Sequence, residues 1–131
     1  MKKKWLVFLT ACIVFLTVSC QQEGASSTEN KIDADVPFII EGELPSSPPA
    51  QEWIADAVVD IAEKLNVDTD TVSYIGFDLP VWPDTSYGCP QPEQEYLQEP
   101  REGYQIHLQI DGTDYFYHGG EEIEQFLCEN N

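Results

Sequence analysis

The chain has 131 residues, 24 of them acidic and 6 basic, and a formal net charge of −18 at pH 7. A surface of that sign repels nucleic acid, which is excluded as a partner. Three of the basic residues are Lys2, Lys3 and Lys4; beyond Ser19 only Lys31, Lys64 and Arg101 stand against all 24 acidic residues, a net −21. The excess reads first as solubility, and more sharply as attraction for cations or a basic partner.

Met1–Lys4 is a short positive stretch, and Trp5–Val18 is an uncharged run of 14 residues. A membrane-spanning helix needs roughly 20 apolar residues, so the run suits the hydrophobic region of a signal peptide. Thr17-Val18-Ser19-Cys20 follows and resembles the bacterial lipobox, in which a small residue precedes an invariant cysteine. Thr17 stands where that motif usually has Leu, with Leu16 one residue earlier. The resemblance implies that residues 1–19 are cleaved and that Cys20 carries a diacylglyceryl group. Two or more acyl chains hold a protein on a bilayer, each buried methylene contributing ~0.8 kcal/mol. The chain is therefore expected on the extracytoplasmic side of the cell membrane or outer membrane, with the lipid on Cys20 as its contact.

Residues 21–35 are small and polar and read as a tether. Val36–Ile40 is a brief apolar patch, open between an edge strand, a docked segment and disorder. Leu44-Pro45-Ser46-Ser47-Pro48-Pro49 is a turn-rich boundary, and the folded domain is set at 46–131, with 20–45 as lipidated tether. Ala50–Asn66 predicts a helix with Ser47 as its cap and Pro48 in the first turn. Trp53, Ile54, Ala57, Val58, Ile61, Ala62 and Leu65 recur at helical spacing, with Gln51, Glu52, Asp56, Asp60, Glu63 and Lys64 on the other side.

Thr71–Leu79 predicts a strand, with Val72, Tyr74 and Gly76 on one face and Ser73, Ile75 and Phe77 on the other. Pro80–Gly103 is a long irregular loop with four further prolines. Tyr104–His118 predicts a hairpin around Asp111-Gly112, a pair that tolerates positive φ at both central positions. That turn sets Ile110 opposite Thr113, Leu108 opposite Tyr115 and Ile106 opposite Tyr117. Ile123, Phe126 and Leu127 read equally as a helical turn or a last strand.

With Cys12 cleaved and Cys20 lipidated, Cys89 and Cys128 remain, and two cysteines in a small exported domain usually pair. The closed loop of about 40 residues is worth roughly 4 kcal/mol in the chain-entropy model. Their long separation and the lack of a C-x-x-C argue against a metal pair.

The stretch Trp82-Pro83-Asp84-Thr85-Ser86-Tyr87-Gly88-Cys89-Pro90, with Gly103-Tyr104-Gln105-Ile106 and Tyr115-Phe116-Tyr117-His118 downstream, resembles a group of small exported bacterial proteins. These carry W-P-D-x-S-x-G-C-P, then G-Y-x-I, then Y-x-Y-H and a later Cys; Tyr87 stands where they commonly have Leu. The resemblance covers roughly 50–128 and implies a domain and a disulfide but no mechanism. More loosely, the order helix, strand, hairpin is similar to PepSY-type domains, secreted α+β modules linked with protease inhibition or regulation.

The stapled loop makes Trp82, Asp84 and Tyr87 a candidate recognition surface, since aromatics dominate binding hot spots; the competing reading has Trp82 covering the sheet and Asp84 capping a turn. His107 and His118 share a hairpin face but fall short of a zinc ligand set, and a structural His118 bonded back to the loop is expected. Asp68, Asp70 and Asp78 lack the glycine and the distal Glu of a calcium loop. No hydrolase, zinc-protease or phosphate-loop motif is present, so the expectation is a non-enzyme without cofactor. The fold expected is α+β: one amphipathic helix on an antiparallel sheet of three to four strands with one disulfide. The function expected is a membrane-tethered module binding a protein or peptide; regulation of an exported protease and a structural envelope role are the alternatives.

Overall fold

The computed structural model describes residues 36–129; residues 1–19, Cys20 and the tether up to residue 35 lie outside them. The hairpin sets the frame. Strand β4 (Arg101–Ile110) pairs antiparallel with β5 (Thr113–Gly120), with Ile110 opposite Thr113, Leu108 opposite Tyr115 and Ile106 opposite Tyr117. Asp111 and Gly112 hold φ of 51° and 78°, as the two-residue turn requires. Because side chains alternate along a strand, that register puts Tyr104, Ile106, Leu108 and Tyr117 on one face. All four are buried against the helix α1 (Pro48–Leu65).

The helix presents Ile54, Ala57, Val58, Ile61 and Ala62, each at most 3% exposed. Ser47 occupies the cap position without a side-chain cap bond, and Asn66 closes the other end in the left-handed region (φ 53°), with the Val67 amide donating to the Ala62 carbonyl. Two helix residues depart from the pattern: Leu65 is exposed, whereas Gln51, expected on the polar side, is buried and donates to the Pro45 carbonyl at 2.8 Å. An amide can enter the packed side when a backbone acceptor meets it there.

The sheet is larger than three to four strands, and it is mixed. Ahead of α1 lies β1 (Ile39–Ile40); after it come a 3-10 turn (Thr69–Thr71), β2 (Ser73–Asp78), β3 (Val81–Trp82), then β4, β5 and β6 (Ile123–Cys128). The strands run β1-β2-β4-β5-β6, with β3 pairing the start of β4. β1 is parallel to β2, and the other pairs are antiparallel. A two-residue strand such as β3 has no periodicity to read, which hid it in the sequence, whereas β1 falls in the Val36–Ile40 patch, open in the sequence between edge strand, docked segment and disorder. The structure of the domain thus begins ahead of Ser46: Val36, Phe38 and Leu44 pack on the core, and the Tyr74 hydroxyl donates to the Glu43 carbonyl at 3.0 Å. The C-terminal segment, open between helix and strand, is strand β6.

A bulge in β2 overturns one facing assignment. The pairing with β4 slips between Tyr74 and Gly76, so Phe77 comes to lie opposite Ile106 and joins the helix face. There Trp53, Tyr104 and Phe77 stack, with the Trp53 and Tyr104 rings nearly parallel at 4.3 Å between centroids. The bulge also draws Gly42 in: the Glu41 and Gly42 amides both donate to the Tyr74 carbonyl, and a Cβ on Gly42 would sit 1.9 Å from the Ile75 carbonyl oxygen.

Gly42→Ala is therefore expected to destabilise the domain by about 1–3 kcal/mol, since backbone must move to admit one methyl. Gly76→Ala, with nothing within 4 Å of the added carbon, is expected to change stability by no more than about 0.5 kcal/mol. Urea denaturation of the two variants checks the contrast.

Candidate functional site

The loop between β3 and β4 folds under the sheet, on the face away from α1. Asp84 starts it by accepting the Ser86 amide at 2.9 Å; the Ser86 hydroxyl and amide hold the Asp84 carboxyl below its usual range. Tyr87 and Gly88 follow with φ of 52° and 74°. Gly88 is needed twice over: its φ is left-handed, and a Cβ there would lie 2.2 Å from the Trp82 ring. Positive φ is unusual for a residue as bulky as Tyr87, and it is held from both sides. Its ring is buried, and its carbonyl accepts from His118 Nδ1 at 2.6 Å.

His118 is thus a structural residue. A carbonyl only accepts, so Nδ1 carries the proton, and in the neutral ring Nε2 accepts from the Gln105 amide at 2.9 Å. Trp82 stacks on the imidazole at 4.9 Å and Phe126 meets it edge-on. Burial pushes the His118 pKa down, against a smaller upward pull from the Tyr87 carbonyl. Cys89, one residue past Gly88, is joined to Cys128 with a Cα–Cα distance of 5.7 Å, tying the loop to the end of β6. Of the three residues proposed for a recognition loop, then, Tyr87 is buried and Trp82 lies on His118, while Asp84 caps a turn. The Tyr87 ring and the Trp82 indole pack on the sheet, which is the covering role that the sequence offers beside recognition.

His107 is on the same face but apart from His118. It bonds Asp114 at 2.8 Å and stacks on Phe116. Asp68 precedes the 3-10 turn and Asp78 ends β2. Among the described residues no group of three or more His, Cys, Asp or Glu is placed to hold a metal ion.

Among the described residues a concavity lies on the helix side. A groove of about 670 Å³ runs between α1 and β6, with Trp53, Tyr104 and Tyr117 at its base, Asp56, Asp60 and Lys64 along the helix wall, and Ile123, Gln125 and Leu127 among the β6 residues. It exists because one helix, about 10–12 Å across, cannot cover strands spaced about 4.8 Å apart over the full width of the sheet. The N-terminal segment fills the gap on the β2 side, and nothing described fills it over β6. At the other end Trp53, Tyr104 and Gly120 pass into a smaller apolar recess of about 190 Å³ beside Leu79, which is 73% exposed.

The groove's charges are set. The Asp60 carboxylate accepts from both the Tyr117 hydroxyl and the Lys64 ammonium. Burial alone would raise its pKa, but these two partners outweigh that and lower it. Burial and then Asp60 push the Tyr117 phenol above its ordinary range, and burial with Asp56 raises Tyr104 to about 12. At neutral pH the base is therefore two neutral phenols beside the ionised Asp60 carboxylate. Sequence reading passed over this site, although Trp53, Asp56, Asp60 and Lys64 at spacings of three, four and four form one line along a helix.

The chain belongs to the family described as a domain of unknown function, DUF8738, which matches residues 54–128. No curated protein and no solved structure matches the chain. The DUF8738 match begins at Ile54, within α1, and ends at Cys128, so it includes both halves of the disulfide and all of β6. No helix among the described residues is long and apolar enough to cross a membrane.

Replacing Cys89 and Cys128 together by Ser is expected to cost roughly 2–5 kcal/mol. It should also open the 83–100 loop to proteolysis before the hairpin; limited digestion followed by mass mapping reads this order.

A second expectation concerns pH. The folded chain binds a proton at His118 less readily than the unfolded chain, so stability is complete above the ordinary imidazole value of about 6.5. It falls as pH drops from there through the lowered folded value. Denaturation at pH 7.5 and pH 5 should show this loss in the wild type and a smaller one in His118→Gln.

Proposed function

We propose that the chain is a membrane-tethered extracytoplasmic lipoprotein whose folded domain is a non-catalytic module that binds a protein or peptide. The observation that carries the binding half is the groove between α1 and β6. It is concave, has aromatic side chains at its base, and is open along a strand edge, in the manner of sites that take polypeptide. The non-catalytic half is supported by its ionisable groups. The phenols of Tyr104 and Tyr117 have raised pKa values and the Asp60 carboxyl a lowered one, so none is poised to exchange protons near neutrality.

Tethering rests on the lipobox-like Thr17–Cys20 and the uncharged run before it. The acidity of the rest fits it: a mature chain of net −21 stands off an anionic membrane surface while its lipid holds it there.

Two measurements test the reading. Protein extracted from membranes should begin at Cys20 and carry acyl mass; a soluble protein with an unmodified Cys20 would end the tethering half. A photo-crosslinking residue at position 124, in the groove, should capture an envelope protein, whereas one at Leu97, on the loop and 64% exposed, should not. Capture from 97 alone would put the binding surface on the loop.

A further inference from the structure

Resting on the peptide-binding reading above, we infer that the groove takes an extended peptide bearing Lys or Arg, which adds as a further strand to the free edge of β6. Three observations converge on this occupant. Among the described residues no strand pairs with the outer edge of β6, a six-residue strand at the end of the sheet order. Its outward amides and carbonyls form a template for one more chain. The groove lies along the same strand, so every second side chain of an added strand enters it.

Those side chains meet Asp56, Asp60, Glu124 and Glu129, with Lys64 the cation among the groove's lining residues, and Lys64 is already paired with Asp60. Charge complementarity therefore selects a basic peptide and rejects an acidic one. A second copy of the chain fits less well. Pairing two β6 edges would bring Glu124 and Glu129 of each copy together under a net charge of −18 per chain, or −21 once residues 1–19 are removed.

The test uses the full-length protein and three synthetic peptides of about six residues. One alternates Lys and Val; one has Glu in place of Lys; one keeps Lys and Val but carries N-methyl groups on alternate backbone amides. Binding is read by amide chemical shifts and hydrogen exchange. The Lys/Val peptide should protect amides of β6 and shift the Trp53 indole. N-methylation should abolish that protection, and the Glu peptide should not bind.

In the variant Asp56→Asn/Glu124→Gln/Glu129→Gln, affinity for the Lys/Val peptide should fall roughly tenfold and become less sensitive to salt. These positions avoid the Asp60–Tyr117 bond that helps hold the fold. Equal binding of the N-methylated peptide would overturn strand addition, leaving only attraction between charges. Shifts confined to the 83–100 loop, or protection of β6 that rises with protein concentration alone, would also overturn the inference while leaving a binding role intact. Failure of all three peptides, with no crosslink from position 124, would overturn both.

Discussion

A single helix has to seal a sheet about twice as wide as the strip it can cover. From α1 come five small or branched apolar side chains, Ile54, Ala57, Val58, Ile61 and Ala62, and they meet Tyr74, Ile106, Leu108 and Tyr117 in the middle of the sheet. Everything lateral to that contact needs another solution. On the β2 side it is the segment from Val36 to Leu44, which pairs as β1 and lays Phe38 and Leu44 against the core. On the β6 side no described residue does the same, and the groove is what remains.

The far face of the sheet has a different solution. A loop with four prolines and no regular structure is held there by a stack of Trp82 on His118, a hydrogen bond from that histidine to the Tyr87 carbonyl, and the disulfide to Cys128. The three act within Trp82–Cys89, on His118 of β5 and Cys128 of β6. The left-handed backbone at Tyr87 and Gly88 aims the Tyr87 carbonyl at the ring and sets Cys89 over Cys128. For a domain this small, with one helix packed on one sheet, a covalent tie that constrains the unfolded chain is a large part of the stability.

Function and charge meet at the open edge. A bare strand edge invites indiscriminate pairing, and proteins commonly guard such edges with charge. Here Glu124 and Glu129 serve as that guard, and Asp56 and Asp60 extend it across the groove. The same carboxylates that repel another copy of the chain are those that would admit a basic peptide, so protection against self-association and selection of a partner reduce to one electrostatic property. Tyr117 links the two layers, since its ring belongs to the core while its hydroxyl bonds Asp60 at the groove wall.

Much of this was legible in the chain itself, wherever a local rule acts alone. The helix follows from its apolar spacing and its Pro48 start, and the hairpin register from Asp111-Gly112 with alternation on both strands. The staple follows from the expectation that Cys12 is cleaved and Cys20 lipidated, which leaves two cysteines, and the tie from His118 to the loop from a pair of histidines that falls short of a zinc ligand set. Tertiary structure decided the rest, because it depends on contacts between segments that carry no mutual signal in sequence. The bulge after Tyr74 turns Phe77 to the helix face only because β4 and Gly42 fix the pairing around it. Two residues at Ile39 become a strand only because β2 offers a parallel edge. For Trp82 and Tyr87 the sequence leaves display and cover open as alternatives; in the structure Tyr87 is buried and Trp82 stacks on His118 over the sheet's second face. The groove itself is a property of widths: the line of Trp53, Asp56, Asp60 and Lys64 is written in the helix, but which strand lies across from it, with no strand among the described residues on its outer edge, is set by the order of the sheet.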